Sequence, residues 1–329
     1  MTAGRRPDTA LNQRGVKPPI ASPPVEARPD PAALEAWLGS DLSTLITAFG
    51  VPVAEVVPVT TIRSSGPRAS FRVTLADGQI LKGRRLPGPA DVVRVVRLSS
   101  LLDPRYFPPV LAHRGDALLT RWIPGRPAES AAWTPTRLHT CGRLHAAIHR
   151  LPVSPDMASL PRRAPDWDTR LDQWLGELLA CGALDAGQAA EIRRLTADSA
   201  PTRTSTGVCH TDFCGDNIII TEAGRVCVVD NEGLSLDSRE FDLARTWYRW
   251  PMTPTQLRAY ADGYGAHDHS ASFADHFLHW ALLAVLDSAA YRTRVHDASV
   301  RIPLDRLQEL LRTQGRNESF PRFLSRAGR

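Results

Sequence analysis

Lysine is nearly absent from this chain of 329 residues, because only two of its 40 basic residues are lysines and the rest are arginines. The arginines are dispersed, and no block of about five or six like charges occurs, so the net charge of +5 is not the concentrated patch typical of nucleic-acid binding. No nucleic-acid partner is therefore expected. Lys17 lies near the N-terminus, which leaves Lys82 as a position that selects an ammonium group over a guanidinium.

Two further absences concern location. No run of about 18 apolar residues is present, and the N-terminus lacks an apolar stretch of signal-peptide length, so neither a transmembrane helix nor export is expected. The cysteine count is odd, at five, and no C-x-x-C pair occurs, which argues against a disulfide framework and against a cysteine zinc site. These features predict a cytoplasmic protein that does not associate with membranes.

Composition and periodicity divide the chain into a Pro-rich leader over 1–30, an N-terminal lobe over 31–123 and a C-terminal lobe over 124–329. The leader is expected to be disordered. The N-terminal lobe is predicted as a helix, three strands, a second helix over 90–102 and two more strands, and the C-terminal lobe as mostly helical with one hairpin over 217–230. The fold class is therefore α+β. The other predicted helices lie near 31–49, 134–150, 168–181, 187–198, 238–249, 254–264, 272–294 and 303–313.

One loop of the C-terminal lobe carries the strongest chemical signal. His210, Asp212 and Asn217 match H-x-D-x-x-x-x-N, a pattern expected by chance only about 0.01 times in a chain of this composition. Phosphoryl transfer needs a carboxylate that accepts the proton of the attacking hydroxyl, oxygen ligands for Mg²⁺, and a cation that binds the phosphates. Asp212 suits the first role. Asn217 and Asp230, which ends an apolar strand, suit the second, and Lys82 suits the third.

The chain resembles the aminoglycoside phosphotransferase and choline kinase family, whose fold is the two-lobed protein-kinase-like fold with a small β-rich lobe and a larger, mainly helical one. The resemblance covers roughly residues 50–290, and its motifs are LLTRWIPGRP (118–127), GRLHAAIHRL (142–151), HTDFCGDN (210–217), VVDNE (228–232) and EFDLA (240–244). It implies ATP and Mg²⁺ as cofactors, a small-molecule hydroxyl acceptor as partner, and a monomer or homodimer.

The resemblance also implies roles for further residues. The linker between the lobes would hold adenine through backbone groups, and a phosphate loop between the first two strands would cover the phosphates. Asp242 would brace the catalytic loop, and Lys82 would contact the α- and β-phosphates. The linker and phosphate-loop residues that follow from the resemblance are Arg121, Trp122, Ile123, Ser65 and Gly66.

The sequence departs from the family pattern at three places. Thr211 stands where the family usually has Gly, and the phosphate loop holds a single glycine, Gly66. The helix over 90–102 has no Glu to pair with Lys82, so the acidic partner of that lysine is either Asp91 or missing. The sequence leaves open whether Glu232 contacts the metal, the substrate or neither.

The leading hypothesis is an ATP-dependent O-phosphotransferase that acts on an antibiotic or a related natural product. One alternative is a nucleotide-binding pseudokinase that serves as a regulatory module. Another is a choline, ethanolamine or sugar kinase, and choline would need an aromatic cage built from the tryptophans of the helical lobe. Most of these aromatics are instead expected to pack in the core, and the His267–His269 segment is expected to form a solvated turn.

Overall fold

The computed structural model describes residues 35, 38–59, 70–127, 133–153, 166–316 and 318–326. The leader over 1–30 and the predicted phosphate-loop residues Ser65 and Gly66 lie outside the described residues. Within them, the predicted α+β architecture of a small β-rich lobe and a larger helical lobe is confirmed. None of the helices in these ranges combines the length and the hydropathy that a membrane span requires.

The N-terminal lobe is an antiparallel sheet flanked by two helices. The strand order is β1-β2-β3-β5-β4, which puts β3 at the centre. A tight turn joins β2 to β3: Gly78 has a φ of 84°, and the Asp77 carboxylate accepts a hydrogen bond from the Gln79 amide at 2.9 Å. The elements are α1 (Ser40–Thr47), β1 (Val53–Pro58), β2 (Ser70–Leu75), β3 (Ile80–Arg85), α2 (Pro89–Ser99), β4 (Val110–Arg114) and β5 (Ala117–Arg121).

Strand β3 separates a core face from a cleft face, because successive side chains point to opposite sides of a sheet. Leu81 is fully buried beneath α1, and a Cβ at Gly83 would lie 3.1 Å from Leu42 of that helix. Lys82 and Arg84 therefore share the opposite face. The alternation of this central strand is what directs two cations toward the second lobe.

The C-terminal lobe buries most of its apolar side chains in one large core. Two small sheets lie on the side toward the N-terminal lobe: β7 pairs with β10, and β8 pairs with both β6 and β9. The strands are β6 (Arg126–Pro127), β7 (Thr206–Cys209), β8 (Ile218–Ile220), β9 (Val226–Val228) and β10 (Ser235–Ser238). The helices are α3 (Pro135–His149), α4 (Trp167–Ala180), α5 (Ala186–Asp198), α6 (Arg239–Arg249), α7 (Pro254–Tyr264), α8 (Asp268–Asp275), α9 (Phe277–Arg294), α10 (Arg301–Thr313) and α11 (Phe320–Arg326).

Several element predictions were wrong in detail. The helix predicted over 272–294 is two helices, α8 and α9, which meet at His276. The helix predicted over 31–49 is interrupted at Gly39, whose φ is 81°. Strands β6, β7 and β10 were not predicted, because their two to four residues lack the β-branched run that marks β8, and the seven residues of α11 are too few to show helical periodicity.

Helices α3 and α7 approach each other through two glycines. A Cβ at Gly142 would lie 2.1 Å from the Tyr260 carbonyl oxygen, and a Cβ at Gly263 would lie 1.9 Å from that of His139. Both obstacles are backbone atoms, which cannot rotate away. The close approach sets the position of α3, the helix that carries His145 and His149 to the candidate site.

We predict that Gly142→Ala lowers the free energy of unfolding by about 2 kcal/mol or more, because the added methyl group forces the two backbones apart. Gly176→Ala is the matched control: this glycine is also in a helix, but a Cβ there meets nothing within 4 Å. Alanine is the better helix former, so the control should gain about 0.5–1 kcal/mol. Urea unfolding of both variants measures the difference, and equal effects would contradict the packing argument.

Candidate active site

The candidate catalytic loop, residues 210–217 between β7 and β8, is fastened to a buried carboxylate. Asp242 lies in the first turn of α6 and is 1% exposed. Its Oδ2 accepts the His210 amide at 2.9 Å, and its Oδ1 accepts the Thr211 amide at 2.8 Å. The predicted brace is therefore confirmed, and it fixes the backbone immediately before Asp212.

Two histidines of α3 complete the brace. The Nε2 atoms of His145 and His149 each lie 3.1 Å from Asp242 Oδ2, and their Nδ1 atoms lie 2.5 and 2.6 Å from the hydroxyls of Tyr260 and Tyr264. The three acidic and imidazole side chains are close enough together to hold a metal ion. However, each imidazole nitrogen already has a hydrogen-bond partner, so a hydrogen-bonded brace accounts for the cluster.

The brace extends to a histidine that was expected in solvent. The Nε2 of His269 lies 2.6 Å from the Tyr264 hydroxyl, and His269 is 8% exposed. The prediction of a solvated turn over His267–His269 was therefore wrong for His269. The segment begins helix α8 a few residues before the predicted start, and the His269 ring also packs against the ring of His149 on α3, with centroids 5.4 Å apart, a contact that the local pattern does not reveal.

Burial sets the protonation of this network. Burial, followed by the neighbouring His145, lowers the pKa of His149 to about 3, and burial lowers the pKa of His269 to about 2. Burial opposes ionisation of Asp242 as well, but hydrogen bonds from His145 and His149 hold the pKa of that carboxyl well below its usual range. The network thus consists of an anionic carboxylate and neutral imidazoles at His149 and His269 near neutral pH.

We predict that the free energy of unfolding falls as the pH drops below about 6.5, where unfolded histidines take up a proton. Folded His149 resists protonation until about pH 3, so it contributes a loss of about 1.4 kcal/mol per pH unit between these values. In His149→Gln this slope should shrink by about that amount, while an amide donor remains near Asp242. Urea unfolding at about pH 7 and about pH 5 measures the slope, and an unchanged slope in the variant would contradict the neutral state.

Two residues of the site adopt left-handed backbone conformations. Thr211 has a φ of 66°, and Asp230 has a φ of 63°. A β-branched residue is costly in this region, which explains why the resembled family usually has Gly at the Thr211 position. Thr211 is held there by the Asp242 carboxylate and by its own hydroxyl, which donates to the Gly233 carbonyl at 3.0 Å. The second contact also fastens the catalytic loop to the loop after Asp230.

The candidate base Asp212 faces three residues that position it. The Asn217 Nδ2 donates to the main-chain oxygen of Asp212 at 2.8 Å and to its Oδ2 at 3.1 Å. Arg249 Nη1 lies 3.2 Å from Asp212 Oδ1, and Arg245 Nη2 lies 3.9 Å away while also pairing with Asp287. The sequence prediction did not include these arginines. In a chain with so many arginines, nothing in the residues around them distinguishes the two.

A four-charge cluster joins the lobes at the front of the site. Lys82 Nζ lies 2.5 Å from Asp230 Oδ1 and 2.9 Å from Glu232 Oε1, and Arg84 Nη1 lies 3.2 and 3.6 Å from the same two atoms. Burial opposes the charge on Lys82, yet the two carboxylates raise its pKa. Lys82 and Arg84 likewise lower the pKa of Asp230 against the effect of burial. Lys82, Arg84 and Asp230 are therefore charged at neutral pH in this arrangement.

The cluster resolves the question of the partner of Lys82. Asp91 pairs with Arg94 of its own helix at 2.9 Å, whereas the carboxylates beside Lys82 come from the other lobe. Glu232, whose role the sequence left open, lies 2.9 Å from Lys82, which also contacts the metal candidate Asp230. Arg84 is a further site cation that sequence reasoning missed, although its position two residues after Lys82 on a strand was a usable signal.

The chemistry of Asp230, Glu232 and Asn217 suits a hard divalent cation. Such ions prefer carboxylate and amide oxygens. Glu232 Oε2 is buried without a hydrogen-bond partner among the described residues, so an oxygen beside Asp230 is available as a ligand. The Asn217 nitrogen donates to Asp212, which leaves the amide oxygen for a cation. These residues therefore fit Mg²⁺.

Two cavities meet at these residues. The smaller, about 250 Å³, lies under the N-terminal sheet beside the linker, and the larger, about 920 Å³, lies against α6, α7, α9 and α10. Asn217 and Asp230 line both. Lys82 and the predicted linker residues line the smaller cavity, and Asp212 lines the larger. The linker residues concerned are Arg121, Trp122 and Ile123.

The tryptophans of the helical lobe already have partners. The Arg170 guanidinium lies 4.7 Å from the Trp167 ring centroid and 5.6 Å from that of Trp174, and Arg306 lies 4.7 Å from that of Trp247. Trp133 and Trp250 contact each other edge to face at 4.7 Å. The prediction that these aromatics mainly pack is confirmed, since arginines of the same chain or other rings engage the faces that a cationic ligand would use.

The sequence matches the model of the phosphotransferase enzyme family over residues 41–276, so the chain belongs to that family and is a phosphotransferase. A comparison with curated proteins found no match. Solved structures with the protein-kinase-like fold are similar along most of their length, at identities that establish the fold alone. This confirms the two-lobed kinase-like fold.

Three of these structures illustrate the similarity. An aminoglycoside 2'-phosphotransferase IIIa variant in complex with GDP is 12% identical, with a TM-score of 0.61 over 83% of this chain and 96% of that one. Amicoumacin kinase in complex with AMP-PNP, Ca²⁺ and Ami is 13% identical, with a TM-score of 0.60 over 82% of this chain and 92% of that one. Plasmodium vivax ethanolamine kinase is 11% identical, with a TM-score of 0.57 over 79% and 84%.

Proposed function

We propose that this phosphotransferase moves the γ-phosphoryl group of ATP to a hydroxyl of a natural product, an antibiotic in the first instance. The observation that carries the proposal is the convergence of Asp212, Asn217, Asp230 and Lys82 where the two cavities meet. The smaller cavity suits adenine at the linker, and the larger one suits the acceptor. The bond that forms and the bond that breaks would lie between them.

In this proposal each residue has one task. Asp212 orients the acceptor hydroxyl and takes its proton, and Arg249, at 3.2 Å, holds that carboxylate in place. Lys82 binds the α- and β-phosphates. Asn217 and Asp230 would hold Mg²⁺, which supplies charge neutralisation at the phosphates when bound. The backbone of Arg121, Trp122 and Ile123 would hold the base.

The size of the acceptor cavity favours a large acceptor. About 920 Å³ is near the upper end of the range for sites that enclose drug-sized ligands, and far more than choline or ethanolamine needs. Its wall combines aromatic and apolar side chains with ion-paired arginines, which suits an acceptor of mixed polarity. The amicoumacin and aminoglycoside enzymes among the similar structures support the same class, whereas the ethanolamine kinase supports the small-acceptor alternative.

We predict that Asp212→Asn lowers acceptor-dependent turnover by about 10²–10⁴-fold, because an amide cannot accept the hydroxyl proton. ADP release would be measured with Mg·ATP across aminoglycosides, macrolides, peptide and nucleoside antibiotics, choline, ethanolamine and sugars. Nucleotide affinity should stay close to that of the wild type, since Asp212 lines the acceptor cavity.

Asp172→Asn is the control, because this exposed aspartate on α4 pairs with Arg193 at 2.6 Å and lies outside both cavities. It should retain full turnover. Wild-type turnover in Asp212→Asn would contradict the assigned base. Nucleotide binding with no turnover on any acceptor in the wild-type enzyme would favour the pseudokinase alternative.

A further inference from the structure

We infer that Arg84 is a second phosphate ligand, which contacts the γ-phosphoryl group during its transfer while Lys82 contacts the inner phosphates. The inference rests on the proposed function and assigns a catalytic residue to that same site. Nothing in the motif pattern marks Arg84, and the evidence for it is geometric.

The first observation is that the cationic groups of Arg84 and Lys82 contact the same two carboxylate oxygens. They are two residues apart on β3, so both side chains leave the same face of the sheet. Both approach Asp230 Oδ1 and Glu232 Oε1, with Lys82 at 2.5 and 2.9 Å and Arg84 at 3.2 and 3.6 Å. A residue that touches the same carboxylates as the phosphate lysine is within reach of the same phosphates.

The second observation is that the two cations line different cavities. Lys82 lines the nucleotide cavity, and Arg84 lines the acceptor cavity together with Asp212. Asn217 and Asp230 line both and so mark the boundary. A γ-phosphoryl group in transit occupies that boundary, which puts Arg84 on the acceptor side of it and Lys82 on the adenine side.

The third observation is that Arg84 has unused donor capacity. Its side chain is 16% exposed, and its Nε is buried without a hydrogen-bond partner among the described residues. A guanidinium presents several donors in a rigid plane, which suits the oxygens of a phosphoryl group, whereas an ammonium acts as a point charge. The planar guanidinium of Arg84 thus suits the transferred phosphoryl group, whose oxygens need directed hydrogen bonds. The ammonium of Lys82 suits the inner phosphates, where a point charge is sufficient.

The step that Arg84 would assist is balanced without a further reactant. The acceptor oxygen forms a bond to the γ-phosphorus as the bond from that phosphorus to the β–γ bridging oxygen breaks. The bridging oxygen leaves with the electron pair on ADP, and the acceptor proton moves to Asp212. Arg84 donates hydrogen bonds to the γ-oxygens, where negative charge is spread during transfer.

The test is the preference for ATP over ADP, measured as two dissociation constants by calorimetry in the presence of Mg²⁺ and without acceptor. In Arg84→Gln the affinity for ATP should fall about tenfold or more, as for the loss of a hydrogen bond between charged groups, and the affinity for ADP should change less than about twofold. Arg84→Lys keeps the charge but loses the planar guanidinium, so its ATP affinity should lie between those of the wild type and Arg84→Gln. Lys82→Met should weaken both nucleotides.

Arg85→Gln is the matched control. Arg85 follows Arg84 on the same strand, but its side chain lies on the α1 side, where it pairs with Asp116 at 3.4 Å. Its nucleotide affinities should equal those of the wild type. Thermal unfolding of each variant confirms that the fold is intact.

An Arg84→Gln variant that binds both nucleotides as the wild type does, or that loses ATP and ADP affinity equally, would overturn the assignment to the γ-phosphoryl group. Either result would leave the proposed function standing, because wild-type nucleotide binding is measured in the same experiment. A wild-type enzyme that binds neither nucleotide would overturn both proposals.

Discussion

The ion cluster between the lobes is the interaction on which the geometry of this site depends. Two cations on one strand of the N-terminal sheet meet two carboxylates of the C-terminal lobe, and three of the four side chains are largely removed from water, while Asp230 is 30% exposed. Charges in such surroundings are tolerated only when they are paired. The cluster therefore bridges the two lobes, and its groups are the ones that phosphates and a divalent cation would contact.

The second constraint is the buried carboxylate of Asp242. It fixes the backbone of the catalytic loop through two amides, and the close crossing of α3 and α7 fixes the histidines that hold Asp242. Because Thr211 is kept in a left-handed conformation by these bonds, the loop stores conformational cost at the point where Asp212 is presented. The buried contacts of Asp242 thus hold the strained loop in one conformation, which fixes the orientation of the Asp212 carboxylate.

Much of the fold and part of the candidate site were predictable from the sequence. The remaining site residues were not, because they depend on contacts between distant parts of the chain. Short runs rich in β-branched residues predicted the strands of the N-terminal sheet, and the spacing of His210, Asp212 and Asn217 predicted the candidate catalytic loop, because both are local patterns. Arg249 and His269 depend on contacts across the fold, and local sequence carries no information about them. Arg84 is an intermediate case. The two-residue period of the strand placed it on the same face as Lys82, but an arginine does not stand out in a chain with so many arginines.

The central claim is that the carboxylates and cations at the lobe junction form one joint site for phosphate and metal. The most direct test is the affinity for ATP with Mg²⁺ and with a chelator in its place, for the wild-type enzyme and for Asp230→Asn. We expect the wild type to bind ATP much more tightly with Mg²⁺ and the variant to lose most of that dependence. Equal ATP affinity with and without the metal in the wild type would contradict the claim.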